Sequence, residues 1–340
     1  MGTEVRAARP DEMDEVADLL ALVFKGGRKW FYNIITQDPW RDPSNTLLAL
    51  VDDRIVAHVQ VHKRPVHYGR SRLIIGGIGH VATHPDFRGR GLSTALLNRA
   101  IERMGQGGYH LSLLYTGINE FYARLGWRTI PIDELSGHLP TAPPAGSGGY
   151  GIEHARIPAE MPEAPRVYNA WAPGWIGPLD RTDEYWQRNP SWTDDEFIAE
   201  DHGATTRAVR NGCTCGYLRG RIANLPPSRC AIDELCYLPG EEACVADLLQ
   251  RFIASAIAAG KERVHLECGD DHPAAKLLAG VTSLTAGRDT SAMFRIIDPA
   301  GLINAAGDEL KTRLAAADRL GGQPLTVDCE AGRIAVHLDD

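Results

Sequence analysis

The chain is short of the features that mark a membrane protein, a metal centre or a nucleic-acid surface. No run of about 18 uninterrupted apolar residues occurs, so no membrane-spanning helix is expected. The opening stretch MGTEVRAARPDEMDEV is charged and has no apolar centre of the signal-peptide kind, which sets the expectation of a cytoplasmic protein. Gly2 makes no myristoylation signal, because Arg6 stands where Ser or Thr is needed. There is no basic excess. A net charge of −8 argues against a general nucleic-acid binder and is compatible with a cationic substrate. The seven cysteines, at 213, 215, 230, 236, 244, 268 and 329, are scattered. The CTC at 213–215 has no second pair at zinc spacing and no histidine pattern, so the expectation is buried or incidental thiols and no metal.

What is present is an ordinary globular composition on a long chain. With 340 residues, 44% apolar and 24% charged, at least two domains are expected. RPDEMDEVADLLALVF reads as a helix capped by Asp11, with Val16, Leu19, Leu20, Val23 and Phe24 on one face. NTLLALVDDRIVAHVQVHKRPV reads as a hairpin turning at Asp52-Asp53, and RLIIGGIGHVATH as a third strand whose glycines allow a bulge or a close approach. A helix then carries Leu92, Leu96, Leu97, Ala100, Ile101 and Met104, followed by the strand HLSLLYT and the short helix NEFYARLG. SGHLPTAPPAGSGGYG, 136–151, is rich in Pro, Gly and Ser and reads as a linker or long loop. Beyond it, Trp171, Trp175, Tyr185, Trp186 and Trp192 either line a pocket or pack. The end reads as a strand, a helix over roughly 298–319, and a hairpin turning at Gly332.

The informative loop is RGRGLS, Arg88 to Ser93, between strand and helix. Gly89 and Gly91 let the backbone turn several N–H groups inward. The helix that follows adds its positive end. Arg88 and Arg90 add further donors. These are the parts of a pyrophosphate cradle. The loop lacks the Lys-Ser/Thr ending of a magnesium-nucleotide loop and the glycine spacing of a dinucleotide fold.

VATHPDFRGRGLSTALL resembles the coenzyme A loop of the GNAT acyltransferase superfamily, Arg/Gln-x-x-Gly-x-Gly/Ala, written here as Arg88-x-x-Gly91-x-Ser93. Ser93 departs from the last position but is still small. NEFYARLGW resembles the superfamily's Tyr-x-x-x-Gly-aromatic element. The resemblance implies acetyl-CoA as co-substrate, held by Val81, Thr83, Arg88, Gly89, Arg90, Gly91, Leu92, Ser93 and Asn119, with no metal. It places Tyr122 beside the thioester sulfur as general acid.

The second half weakly repeats the first. STALLNRAIERM aligns with VADLLQRFIASA, and each helix is followed by a strand. Gly240 and Glu242 then stand for Arg88 and Arg90, and Ala274 or Ala275 for Tyr122, so the second copy lacks the cradle. Two such halves with a C-terminal segment resemble the bacterial enhanced-intracellular-survival acetyltransferases, whose last domain is sterol-carrier-like and is abbreviated here. That resemblance implies an α/β (α+β) chain. It comprises a catalytic GNAT domain over 1–150, a degenerate GNAT-like domain over 151–290 and a short α/β segment over 291–340. Each GNAT fold is a mixed, mostly antiparallel sheet flanked by helices. The resemblance also implies a role for the terminal carboxylate, here Asp340, in taking the amine proton. The expected activity is acetyl transfer to a primary amine of a small cationic molecule, aminoglycoside- or polyamine-like. No nucleic-acid or membrane partner is expected, and a homo-oligomer is left open. A non-catalytic acyl-CoA-binding module, or a protein-lysine acetyltransferase, are the alternatives. Tyr122 favours an enzyme, and His80 stands out over His84 as a candidate base because it precedes the cofactor strand.

Overall fold

The computed structural model describes residues 2–157, 159–189, 205–222, 225, 228–316, 325–329 and 332–336. The chain divides into two compact units. One comprises Met1–Ile130, Pro173–Asp180 and Ser291–Asp340, the other Pro131–Ala172 and Arg181–Thr290.

In the first unit, β1 (Thr3–Ala7), β2 (Thr46–Val51), β3 (Arg54–Tyr68), β4 (Ser71–Thr83) and β5 (Leu111–Tyr115) lie side by side in that order. The strand Ala292–Ile296 comes next, and β6 (Arg128–Thr129) closes the edge. β4 and β5 are parallel; the other neighbours in this order are antiparallel. Local chemistry sets these elements. Asp52 and Asp53 both have positive φ, 48° and 63°, the geometry of a tight two-residue hairpin turn that Asp tolerates. Helix α1 (Met13–Phe24) is preceded by a 3-10 turn, Pro10–Glu12, so its cap is Glu12 and not Asp11. The Glu12 carboxylate is buried and accepts from the Arg9 backbone at 2.7 Å and from Arg6 at 2.6 Å, which holds its pKa down at about 2.

Helix α2 (Arg28–Thr36) packs with α1 on one face of the sheet, and α3 (Leu92–Gln106) packs on another cluster through Leu96, Leu97, Ala100 and Met104. Met104 sits so close to Gly76 that a Cβ there would meet its sulfur at 2.2 Å, so any side chain at this position would force the buried Met104 to shift. Trp127 is fully buried and donates to Ser112 Oγ at 3.3 Å. The helix Pro299–Ala316 packs Leu302, Ala306 and Leu310 on Val66 and Leu73 of the same unit. The hairpin Leu325–Cys329 and Gly332–Val336 forms its own two-stranded sheet.

The second unit repeats this order. Its sheet runs Gly151–His154, Thr206–Arg210, Cys213–Arg221, Arg229–Tyr237, Arg263–Leu266, Ile132–His138, Leu284–Asp289. The one parallel pair is again fourth with fifth. In each sheet the sixth strand comes from a distant part of the sequence, Ala292–Ile296 in the first and Ile132–His138 in the second. The sheets therefore do not divide the chain at 150 and 290. Ile132–His138, which runs into the first residues of the Pro/Gly-rich stretch, belongs to the second sheet, and the strand after Thr290 completes the first.

Candidate active site

The site lies where β4 leaves β5. Their ladder runs from Ile75↔Leu111 to Gly77↔Leu113 and stops, while β4 continues to Thr83. The opening is reinforced by a β-bulge. Ala57 pairs Thr83 and His58 pairs Ala82, but Gln60 pairs Gly79, so Val59 faces both His80 and Val81. His80 carries the strain of that extra residue at φ 52°, a left-handed conformation uncommon outside glycine.

A cleft of about 430 Å³ opens beside this point. Val81, Thr83 and the run from Phe87 to Thr94 line it, and Val23, Ile118, Phe121 and Tyr122 complete its wall. Gly89 and Gly91 both have φ 75°, and a Cβ at either would meet nothing within 4 Å. Their role is therefore conformational, not steric. Gly91 is the N-cap of α3. No side chain caps that end, and its first turn holds no acidic residue. Helix N-termini leave their first N–H groups without intrahelical partners, so this end presents donors and partial positive charge to the cleft. Neither Arg88 nor Arg90 pairs with a carboxylate among the described residues. Arg88 Nε approaches Thr83 O at 3.4 Å, and the Arg90 guanidinium lies 4.8 Å from the Phe87 ring centre. Such free guanidiniums next to bare helix N–H groups suit a phosphate-bearing ligand.

Tyr122 sits on α4 (Asn119–Ala123), 8% exposed, in edge contact with Phe121 and Trp127. Burial alone raises its pKa above the usual phenol value, so it is a protonated donor at neutral pH. Its hydroxyl has no hydrogen-bond partner among the described residues, and the residue lines the cleft.

Residues 4–130 match the acetyltransferase (GNAT) domain family. The chain carries a GNAT acetyltransferase domain. An N-acetyltransferase of Methanocaldococcus jannaschii is 28% identical over 135 residues, which take in 36% of this chain and 59% of that protein. Among solved structures, Eis1 from Mycobacterium abscessus superposes with a TM-score of 0.64 at 18% identity, covering 100% of this chain and 84% of that one. A tandem GNAT protein from the clavulanic acid biosynthesis pathway gives 0.51 at 14%, covering 88% and 99%. At these identities the likeness concerns the fold, which is that of two GNAT-type units in tandem.

Within the GNAT domain the cleft gathers Val81, Thr83, Arg88, Gly89, Arg90, Gly91, Leu92, Ser93 and Tyr122. Asn119 is elsewhere: its side chain donates to Thr129 on β6 at 2.8 Å, and it does not line the cleft. Asp340 and Trp192 lie outside the described residues. Ser93 Oγ is 2.8 Å from Thr83 Oγ1, which ties the helix start to the strand end. Val23 and Phe24, assigned by periodicity to a buried helix face, are at the surface of the core instead. Val23 lines the cleft, and Phe24 is 46% exposed. Ile118 and Phe121 had no signal in the sequence beyond their place beside Tyr122. Tyr185 and Trp186, in the second unit, stack around Arg181 with Tyr168. Among the described residues no group of His, Cys, Asp and Glu is arranged to hold a metal ion, and no helix is long and apolar enough to cross a membrane.

Proposed function

We propose that the protein is an N-acetyltransferase that moves the acetyl group of acetyl-CoA to a primary amine of a small cationic molecule, aminoglycoside- or polyamine-like. One observation carries this reading. An uncapped, acid-free helix start behind two left-handed glycines opens into the same cleft as a buried, unpartnered tyrosine hydroxyl. The first feature suits a pyrophosphate, and the second suits a leaving thiolate that needs a proton.

In this reading Arg88, Arg90 and the N–H groups from Gly89 to Ser93 hold the pyrophosphate. The unpaired edge of β4 at Val81 and Thr83 aligns the acyl arm and polarises its carbonyl. The amine nitrogen forms its bond to the acyl carbon as the carbon–sulfur bond breaks. Tyr122 gives its hydroxyl proton to the departing thiolate and recovers one from solvent. The amine proton passes to a base. The second unit, without the cradle or the tyrosine, is a degenerate copy with no site of its own. The net charge of −8 favours a cationic acceptor.

The test is an acetyl-CoA turnover screen over polyamines, aminoglycosides, amino acids and lysine peptides, reading released thiol. Turnover with a small amine and none with peptides is expected. Tight acetyl-CoA binding without turnover of any amine would leave a binding module in its place.

A further inference from the structure

Three histidines and one aspartate meet behind the bulge, and the function above uses none of them. Asp38 accepts the Trp40 backbone N–H at 3.0 Å and is paired by Arg64 at 2.7 Å, so it is anchored and ionised, with its pKa below the usual value. His62 Nδ1 lies 3.2 Å from Asp38 Oδ2. His62 Nε2 lies 3.3 Å from His80 Nδ1. His58 Nδ1 lies 2.8 Å from the His80 carbonyl, holding the bulge itself.

The tautomers follow from one end. An ionised carboxylate only accepts, so His62 carries its proton on Nδ1, and its Nε2 is an acceptor. His80 must then donate from Nδ1. That leaves its Nε2 with a bare lone pair, and no partner for it exists among the described residues. The ring is boxed by Phe24, Trp30 and Phe31 at 5.7–6.5 Å between ring centres, all edge-on. Its chain neighbour Val81 lines the cleft, as does Val23 beside Phe24. His80 is not itself among the residues lining the cleft; the bulge holds its lone pair one residue before Val81, the strand position where the acyl carbonyl is proposed to lie.

We propose that His80 Nε2 takes the proton from the attacking amine, with His62 and Asp38 as the positioning residues that fix its tautomer and stabilise the imidazolium. The proposal rests on the acetyltransferase reading. Its balance is closed: the N–H bond breaks once N–C has formed, His80 Nε2 takes the proton, and Nε2–H is released to solvent between turnovers, which restores the Nδ1–H tautomer held by His62. The arrangement has the logic of a catalytic triad, with a second histidine as the orienting group.

The groups facing the ring are His62 and His58 from β3 and the three aromatic rings from α1 and α2. Burial, then repulsion from His62 and His58, depresses the His80 pKa to about 3. The base is therefore neutral throughout the working range. Weak basicity also sets the timing. A nitrogen already bonded to the acyl carbon is a far stronger acid than a free ammonium, so the transfer is late. The acid limb of kcat/KM then follows ionisation of the substrate amine and not a histidine.

The experiment uses the full chain, acetyl-CoA and two small acceptors, n-propylamine, whose acylated nitrogen is the weaker acid and needs the base, and hydroxylamine, whose acylated nitrogen is the stronger acid and can lose its proton to water. His80→Asn keeps a residue that tolerates positive φ. It should lower kcat for n-propylamine by about 10²- to 10⁴-fold, leave the KM for acetyl-CoA unchanged, and lower kcat for hydroxylamine by a much smaller factor. Asp38→Asn should give the same pattern at smaller size. Nitrogen NMR of histidine-labelled wild type should show His80 as the Nδ1–H tautomer. Equal losses with both acceptors would make His80 structural, and an Nε2–H tautomer would break the relay. Unchanged kcat in His80→Asn, with activity lost on a C-terminal tag, would transfer the role to Asp340. If wild type acetylates no amine at all, the acetyltransferase reading fails first.

Discussion

The two units share a strand order and differ in what they do with charge. In the first, the loop before α3 ends in Arg-Gly-Arg-Gly, the helix start is bare, and both arginines lack carboxylate partners among the described residues. In the second, the equivalent helix, Cys244–Ala258, has Asp247 in its first turn, and this carboxylate accepts from the Gly148 backbone at 3.0 Å and from Ser147. Glu242 accepts from Gly240 N at 3.0 Å, and Glu241 is engaged by Tyr150 at 2.6 Å and by Arg210. The second helix start is thus surrounded by its own acids and repels an anion. Its notable cation, Arg181, is buried 3.9 Å from the Tyr168 ring centre and paired with Glu234, which also accepts from Tyr217 at 2.6 Å. The first unit leaves the charges at this loop open, and the second closes its own on each other.

The sharpest way to break this comparison is at Tyr122, which has only Ala274 or Ala275 opposite it in the second unit. Tyr122→Phe keeps the edge contacts with Phe121 and Trp127 but removes the proton. If the hydroxyl protonates the leaving sulfur, as proposed, kcat should fall by about 10²- to 10⁴-fold with little change in the KM for acetyl-CoA. Steady-state kinetics checks this, and an unchanged kcat would make Tyr122 a packing residue.

Next in size is the reverse case, a charge that is structural. Glu234→Gln leaves the Arg181 guanidinium buried without its counter-charge, which costs about 3–5 kcal/mol by precedent for broken buried pairs. Glu234 is held below the usual carboxylate range mainly by Arg181, against the opposing effect of burial. A depressed folded-state pKa gives stability that is present above the ordinary carboxylate pKa and lost as pH falls through the folded value. Denaturant melts at pH 7 should therefore show a large loss that shrinks in acid. Acetyl-CoA affinity of the folded fraction should hardly change.

Arg88→Glu should do the opposite: no loss of melting temperature, and acetyl-CoA binding weakened by about 10- to 100-fold, the worth of a charge-assisted hydrogen bond turned to repulsion. Calorimetry should also find one site per chain, and two equivalent sites would refute the functional asymmetry of the units.

Much of this contrast was legible in the sequence because it is local. Arg88, Gly91 and Tyr122 lie in contiguous stretches whose spacing carries the chemistry, and Gly240 and Glu242 declare the missing cradle in the same way. The hairpin at Asp52-Asp53 was legible for the same reason. What escaped notice depends on long-range pairing. The sixth strand of each sheet comes from a distant part of the chain, and no local pattern says which sheet a strand such as Ala292–Ile296 will join. His58 and His62 share a face of β3 by the strand's alternation, but their meeting with His80 requires a bulge that moves one side chain out of register, and Asp38 gave no signal at all. Phe24 fitted the apolar helix face by periodicity, yet it lies near the end of α1, where the core has run out.

The smallest effect should come from Ser93, the one departure from the family's loop pattern. Its hydroxyl is 2.8 Å from Thr83 Oγ1, a contact within the protein that points the oxygen towards the strand end. If the cradle works through the backbone N–H groups of the bare helix start, then Ser93→Ala keeps every donor the ligand uses and only unties helix from strand. The expected result is acetyl-CoA affinity within about threefold of wild type, together with a stability loss of about 0.5–1.5 kcal/mol for one hydrogen bond removed. Ser93→Val, the residue at the aligned position 245 of the second unit, supplies the contrast. It lacks the same hydroxyl but adds two methyl groups at a wall of the cleft, so affinity should fall in this variant and not in the alanine. Calorimetry on both variants separates the two effects. A large loss in Ser93→Ala would mean that the hydroxyl itself is a ligand, and that the second unit lost its site through this residue as well as through its acids.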